Sequence, residues 1–344
     1  MSCPHCETTA AFTGRTVHIW PPQDHTRGKL RQLLADLDPS ETAAALRLAE
    51  ADHTALAARL AETLSTPEQR DSRILVTEGE PLAATHIPQV LSIETYIAAV
   101  QGAWLKAILD SGGLYFQFQP IMAGPATVHG YEALVRARDD AGRTIPPAAL
   151  FAAAATPALM ATLDRQARLG AVGAVGRMPA EARMFINFMP SSIYDPAYCL
   201  QSTAEAARAE GLDPGRIVFE VVESDHVPDR AHLRAIIQAY RETGYRVALD
   251  DFGTGYNNMD ALLDLRPDYV KIDKAIVQRL DEDRVSRRVV RDLAAQCAEQ
   301  GTWVIAEGIE TAEQFTLCGD LGVPLFQGFY FARPAESFFR PSAA

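Results

Sequence analysis

Tyr115-Phe-Gln-Phe-Gln-Pro-Ile-Met122 and Gly130-Tyr-Glu-Ala-Leu-Val-Arg136 are two apolar, strand-like runs joined only by Ala123-Gly-Pro-Ala-Thr-Val-His129. A parallel crossover needs roughly a dozen residues or more, so the two strands are expected to be antiparallel neighbours. Six further runs follow, at 184–188, 217–221, 246–250, 269–273, 303–307 and 325–331, most of them separated by helix-length segments. Strands alternating with helices imply βα units and a mainly parallel sheet. Eight such strands in about 220 residues are the pattern of a (β/α)8 barrel. The fold class expected is α/β, a modified TIM (β/α)8 barrel with an antiparallel first strand.

Upstream of this barrel the pattern changes. Thr16-Val-His-Ile-Trp20 and Ser72-Arg-Ile-Leu-Val-Thr77 read as strands, with Ala/Leu-rich helical stretches near 26–37 and 41–64 between them. Residues 1–90 are therefore expected to form a small N-terminal α/β domain with a regulatory or sensory role. Apolar residues at helical spacing make 91–112 a connecting helix, and 113–344 the barrel.

The 344 residues are 48% hydrophobic and 22% charged, the profile of a globular protein rather than a fibrous or disordered one. The net charge is -12. Residues 1–113 carry 9 Lys+Arg against 14 Asp+Glu, net -5, and the remainder 23 against 30, net -7. With neither part basic, duplex nucleic acid and anionic membranes are not expected partners. The five cysteines, Cys3, Cys6, Cys199, Cys297 and Cys318, are odd in number and irregular in spacing. They make no disulfide framework and fit a reducing cytoplasm. The N-terminus lacks the basic-then-apolar pattern of a signal peptide. The uncharged stretch Thr144–Leu163 is Ala-rich and broken by Pro146, Pro147 and Pro157, a loop and internal helix rather than a membrane span.

In such a barrel functional groups gather at the C-terminal ends of the parallel strands. Those ends carry Glu132 and Arg136, Asn187, Glu220 and Glu223, Asp250-Asp251, Lys271 and Asp273, Glu307 and Glu310, and Gln327. The reversed first strand can aim Gln119 or Gln117 at the same mouth. Each interrupts an apolar run, where a single unpaired carboxylate costs several kcal/mol. One such acid reads as a satisfied structural residue. Five at equivalent ends of four strands repel one another unless a cation lies among them. Oxygen donors without a convergent His or Cys suit Mg2+ or Mn2+. The Asp250-Asp251 pair can bridge two ions, the clamp used for in-line displacement at phosphorus. Asp250-Asp-Phe-Gly-Thr-Gly-Tyr256 follows its strand with two glycines, a tight loop able to close over a ligand. Asp-Phe-Gly alone also occurs in kinases, but the Gly-rich and His-Arg-Asp loops of a kinase are absent.

These residues, in this order, resemble the EAL domain of bacterial cyclic di-GMP phosphodiesterases from about Gly113 to Pro334. The resemblance runs through Gln119-Pro-Ile, Glu132-Ala-Leu134 with Arg136, Ile-Asn187-Phe, and Glu220-Val-Val-Glu223. It continues through Asp250-Asp-Phe-Gly-Thr-Gly-Tyr256, Val270-Lys-Ile-Asp273, Ala306-Glu-Gly-Ile-Glu-Thr311, Gln327-Gly328 and Arg333-Pro334. It implies hydrolysis of cyclic di-GMP to linear 5′-pGpG with two Mg2+ or Mn2+ ions. Carried over by motif, Glu132, Asn187, Glu220 and Asp250 bind the first metal. Asp250 and Asp251 serve the second, with Glu307 a further metal-site acid and candidate base. Lys271 holds the attacking water. Gln119, Arg136 and Gln327 contact the ligand or organise its site, Glu223 anchors the loop after strand five, and Glu310 assists the metal site or a dimer contact. A homodimer through the EAL domain is the implied assembly.

The sequence departs from the family pattern at Val222, where many members have Thr, and at Asn257-Asn258, where Ser-Ser is common. The Trp and His-Pro frequent after Arg136 are missing. The competing readings are a cyclic di-GMP receptor that binds without cutting, and a scaffold whose work is done by the N-terminal unit. Cys3-Pro-His-Cys6, with His18 and His25 downstream, is a lone C-x2-C pair that reads as a zinc site or as two free thiols.

Overall fold

The computed structural model describes residues 12, 14–42, 45–154, 156–193, 195–221, 230–253 and 259–341. They divide into two compact units. One comprises the described residues up to Gly113 together with Ala148–Leu163. The other comprises Leu114–Pro147 and Asp164 onward.

The first unit is a five-stranded antiparallel sheet in the order Ser40–Glu41, Leu46–Leu48, Thr16–Trp20, Arg73–Thr77, Leu91–Ser92. Val17, Ile19, Leu46, Leu48 and Ile74 pack with Leu30, Leu34, Leu56, Leu60, Ile93 and Tyr96 in a core of its own. Two sequence expectations are corrected here. The single helix over 41–64 is instead two short strands followed by a helix at His53–Thr63. Leu46 and Leu48 alternate with period two, and the strand pairing uses that period. The connecting stretch 91–112 is not one helix either, since Ile93–Gln101 and Ala103–Asp110 break at Gly102. A Cβ at Gly102 would collide with the carbonyl of Ala153, so the close approach of that carbonyl requires glycine.

The second unit is a closed barrel of eight strands: β1 Leu114–Met122, β2 Val128–Arg138, β3 Arg183–Phe188, β4 Ile217–Val221, β5 Arg246–Phe252, β6 Tyr269–Ile272, β7 Trp303–Ala306 and β8 Leu325–Phe326. β1 is antiparallel to both β2 and β8, and every other neighbouring pair is parallel. The reversed first strand required by the short connector is present. The eighth strand is shorter than the 325–331 run. After Gln327, Gly328 admits the backbone of Ile309, which would collide with any Cβ there, and the chain turns away.

Period two along each strand builds the barrel interior. Ile121, Phe185, Val218, Ala248, Tyr269, Ile305 and Leu325 form one closed apolar layer. Gly130 supplies the β2 position without a side chain, because a Cβ there would lie 2.9 Å from the Phe185 ring. Two residues along each strand stand Gln119, Asn187, Glu220, Asp250, Lys271, Glu307, Gln327 and, on β2, Glu132. The apolar layer is the floor, and the polar residues form the layer above it.

The β1–β2 hairpin has no crossover helix to cover its outer face. The C-terminal segment covers it instead. Phe118 and Ala335 exchange backbone hydrogen bonds, and Phe338 stacks on Phe118 with centroids 4.3 Å apart and meets Tyr131 edge-on at 4.9 Å. The Tyr131 hydroxyl donates to the Phe339 carbonyl at 2.6 Å.

Candidate active site

Lys271 is the centre of the polar layer. It is 1% exposed, and its Nζ lies 2.6 Å from Glu307 Oε1, 3.1 Å from Asp250 Oδ1, 3.2 Å from Glu220 Oε1 and 3.4 Å from Glu132 Oε2. One ammonium thus faces four carboxylates from four strands. Glu132 is the best satisfied of them. It accepts from Asn187 Nδ2 at 2.8 Å and from Gln327 Nε2 at 2.7 Å. Gln327 Nε2 also donates to Gln119 Oε1 at 3.3 Å, which ties the reversed strand to the last one.

Charge is not balanced in this space. Burial, then the neighbouring acids, raise Glu220 well above the carboxylate range even against the pull of Lys271. Burial raises Asp250 as well, and pushes Glu307 up to about 8. Burial and the Asp250 charge push Asp251 up to about 7. Glu132 goes the other way. Burial opposes its charge, but Lys271 and the Gln327 and Asn187 amides hold it below the usual value. Both Glu220 oxygens and Gln327 Oε1 are buried without a hydrogen bond; Lys271 is near Glu220 but not aligned to donate to it. A buried polar atom left so is costly. Asp250, Asp251 and Glu307 each bring a carboxylate oxygen within 4.8 Å of the others. The donors are all oxygen, most of them from carboxyl groups. They fit a hard divalent cation, which would give the orphaned Glu220 oxygens a partner.

Asp251 is held at φ +52, with its backbone N–H on Asp250 Oδ1 at 3.0 Å. This left-handed residue turns the chain so that two consecutive carboxylates serve one site. Arg136 stands at the end of β2, where its Nε donates to Gln117 Oε1 at 2.9 Å. Gln117 precedes Gln119 by two residues and so shares its face, which is the signal that makes it legible. Glu310 is exposed. Its backbone N–H donates to Gln314 Oε1 at 2.8 Å, and no described contact joins its carboxylate to the cluster. Glu223, Val222 and Asn257-Asn258 lie outside the described residues, as do Cys3 and Cys6. His18 is buried on the central strand of the first unit, and His25 is exposed on the Asp24–Leu34 helix.

An eight-stranded barrel with one reversed strand and an oxygen-donor cluster at its mouth is the class of protein defined by this fold and site. The EAL domain family model matches residues 101–334, and the chain belongs to that family. It is 30% identical over 242 residues to the probable cyclic di-GMP phosphodiesterase PdeG of Escherichia coli (strain K12), a match covering 67% of this chain and 46% of that one. The chain therefore spans about half the length of that relative. Among solved structures, a standalone EAL protein from Vibrio cholerae O395 in its c-di-GMP bound form is 28% identical. It has a TM-score of 0.59, with 67% of this chain and 95% of that chain covered. Klebsiella pneumoniae BlrP1, solved as a calcium/cyclic di-GMP complex, is 22% identical with a TM-score of 0.61, covering 95% of this chain and 98% of that one. At that identity the likeness is one of fold. No described helix is long and apolar enough to cross a membrane.

Proposed function

We propose that the chain is a metal-dependent phosphodiesterase that hydrolyses cyclic di-GMP to linear 5′-pGpG. The observation that carries this reading is the buried acid cluster around Lys271, with both Glu220 oxygens buried and without a hydrogen bond. Family membership and the relatives' names support it. Glu132, Asn187, Glu220 and Asp250 would hold one Mg2+ or Mn2+ ion. Asp250, Asp251 and Glu307 would hold a second. Such ions lower the pKa of bound water and offset charge on phosphoryl oxygens. Lys271, kept charged by four acids, holds the attacking water in place. Glu307, 2.6 Å from Lys271 Nζ and among the acids that would hold the second ion, is the candidate base. Arg136 is fixed by Gln117 and, with Gln119 and Gln327, orients the ligand. Glu223 anchors the loop after β5, and Glu310 contributes at the edge of the site or in a homodimer through the barrel. Residues 1–90 act as the regulatory unit, and the protein works in the cytoplasm.

The test is turnover by the full chain, followed as 5′-pGpG released from cyclic di-GMP with Mg2+ or Mn2+ and with chelator. Metal-dependent product supports the reading. Tight cyclic di-GMP binding without product makes the chain a receptor. Neither binding nor product leaves only a scaffold.

A further inference from the structure

Asp164 and Arg168 stand one turn apart on the Pro157–Ala174 helix, and each is 2% exposed. Asp164 Oδ2 accepts from Arg168 Nε at 2.9 Å, and Arg168 NH1 donates to Thr203 Oγ1 at 3.0 Å. A buried ion pair is weak ground for stability, since apolar residues of similar volume replace many such pairs at no loss. This pair does something an apolar pair cannot. Asp164 Oδ1 accepts the backbone N–H of Met189 at 2.9 Å, and Oδ2 also accepts the Ser192 hydroxyl at 2.8 Å. Both donors lie in the turn that leaves β3, and the single Ser192 hydroxyl proton is shared between Asp164 Oδ2 and the Met189 carbonyl, 2.7 Å from Ser192 Oγ. Asn187 lies two residues before Met189, on the same strand, with its amide on Glu132. Its backbone position is therefore bounded below by the β3–β4 ladder, where it pairs with Glu220, and above by Asp164.

We propose that Asp164, charge-balanced by Arg168, is a positioning residue for the divalent-cation site. It pins the turn after β3 and so keeps the Asn187 amide beside Glu132. The inference rests on the reading of Asn187 as a metal ligand. A carboxylate is required because two donors from the turn and one from Arg168 converge on it. An amide presents N–H groups to at least one of those donors and leaves Arg168 as an uncompensated buried charge.

The experiment measures Mn2+ binding to the full chain without substrate, from the electron paramagnetic resonance of free Mn2+. It compares wild type, Asp164→Asn, Ser192→Ala and Cys297→Ala. Cys297 is fully buried in the Arg284–Gln300 helix, so its variant loses packing without touching the β3 turn. Asp164→Asn is expected to weaken Mn2+ binding about tenfold, the low end of losses seen when groups behind a metal ligand are removed, and Ser192→Ala about threefold, since it takes away only one of the donors to Asp164. At saturating Mn2+, kcat is expected to stay within about threefold of wild type, because the reacting groups remain. Cys297→Ala is expected to melt earlier and bind Mn2+ as wild type does. Wild-type affinity in Asp164→Asn overturns the inference, as does equal weakening in Cys297→Ala. If Asp164→Asn does not fold, Ser192→Ala decides: unchanged affinity overturns the inference. A wild-type chain that binds no Mn2+ sinks the proposed function itself, and this inference with it.

Discussion

Lys271 Nζ stands 2.6 Å from Glu307 Oε1, and the same ammonium lies within 3.4 Å of Glu132, Glu220 and Asp250. It is the one described cation in a space lined by five acids. Lys271→Met keeps most of the side chain's length and removes the charge. Hydrolysis is expected to fall at least 100-fold, since the group proposed to hold the attacking water is lost. Without metal the acids are left uncompensated, at a cost of about 3–5 kcal/mol. Steady-state rates and melting curves in chelator check both expectations. A metal-free variant as stable as wild type would show that Lys271 does not offset the acids.

The raised carboxylates set a pH dependence of stability. Glu307 at about 8 and Asp251 at about 7 hold protons in the folded chain that an unfolded chain releases near pH 4. The folded state therefore binds more protons between those values, and stability must fall as pH rises through that window. Metal-free protein is expected to melt on the order of 5 °C lower at pH 8 than at pH 6. Mn2+ should restore more stability at pH 8, where the protons it must displace are already gone. Calorimetry at the two pH values, with and without Mn2+, tests the sign. A metal-free melting point that rises toward pH 8 would refute it.

Glu132 accepts from Asn187 and Gln327 and faces Lys271, so three strands converge on one carboxylate. Glu132→Ala is expected to abolish hydrolysis in Mg2+, because a proposed metal ligand goes and both amides lose their acceptor. A purified variant cutting cyclic di-GMP at near the wild-type rate would remove Glu132 from the metal set.

Much of the barrel and its mouth can be read from the sequence for a simple reason. In a parallel strand buried on both faces, a charged residue stands out against Val, Ile and Phe, and Glu220 in Ile-Val-Phe-Glu220-Val-Val is such a case. The seven residues from Ala123 to His129 likewise leave no room for a crossover, which fixes the direction of β1. Local pattern fails where tertiary structure chooses between two periods. Leu46 and Leu48 fit an Ala-rich helix as well as a strand, and pairing with Thr16–Trp20 decides. Asp164 and Arg168 look like an ordinary i, i+4 surface pair. Only their burial, and the turn that donates to them, set them apart.

The C-terminal segment does the work of the missing first helix. Phe338 covers Phe118 and Tyr131 on the outside of the β1–β2 hairpin, the hairpin that carries Gln119, Glu132 and Arg136. Phe338→Ala should cost about 2 kcal/mol, less than a fully buried Phe, because the ring is only partly buried. It leaves the polar layer untouched, so Mn2+ affinity should hold. Denaturant titration alongside Mn2+ binding separates the two effects. A stability equal to wild type would mean that the segment merely lies on the barrel.

Gly253 follows the Asp250-Asp251 pair and Phe252. Its φ is +101, and a Cβ there would run into the Ile276 side chain. Alanine is strained at that φ whatever the space. The Ile276 methyl can swing aside, so strain rather than collision dominates, at about 1–2 kcal/mol. The chain can relieve that strain by rotating the residues before it. Asp251 is one of them, already at φ +52 with its N–H on Asp250 Oδ1. Relief at residue 253 therefore moves a carboxylate that would bind the second ion. Gly253→Ala is expected to raise the half-saturating Mn2+ concentration for hydrolysis about tenfold with only a small loss of melting temperature. Gly301→Ala is the control. Gly301 also has positive φ, at +76, but it caps the Arg284–Gln300 helix and meets nothing within 4 Å. It should lower stability by a similar amount and leave the Mn2+ requirement unchanged. Parallel shifts in both variants would mean that backbone strain acts through global stability, and that Gly253 has no special tie to Asp251.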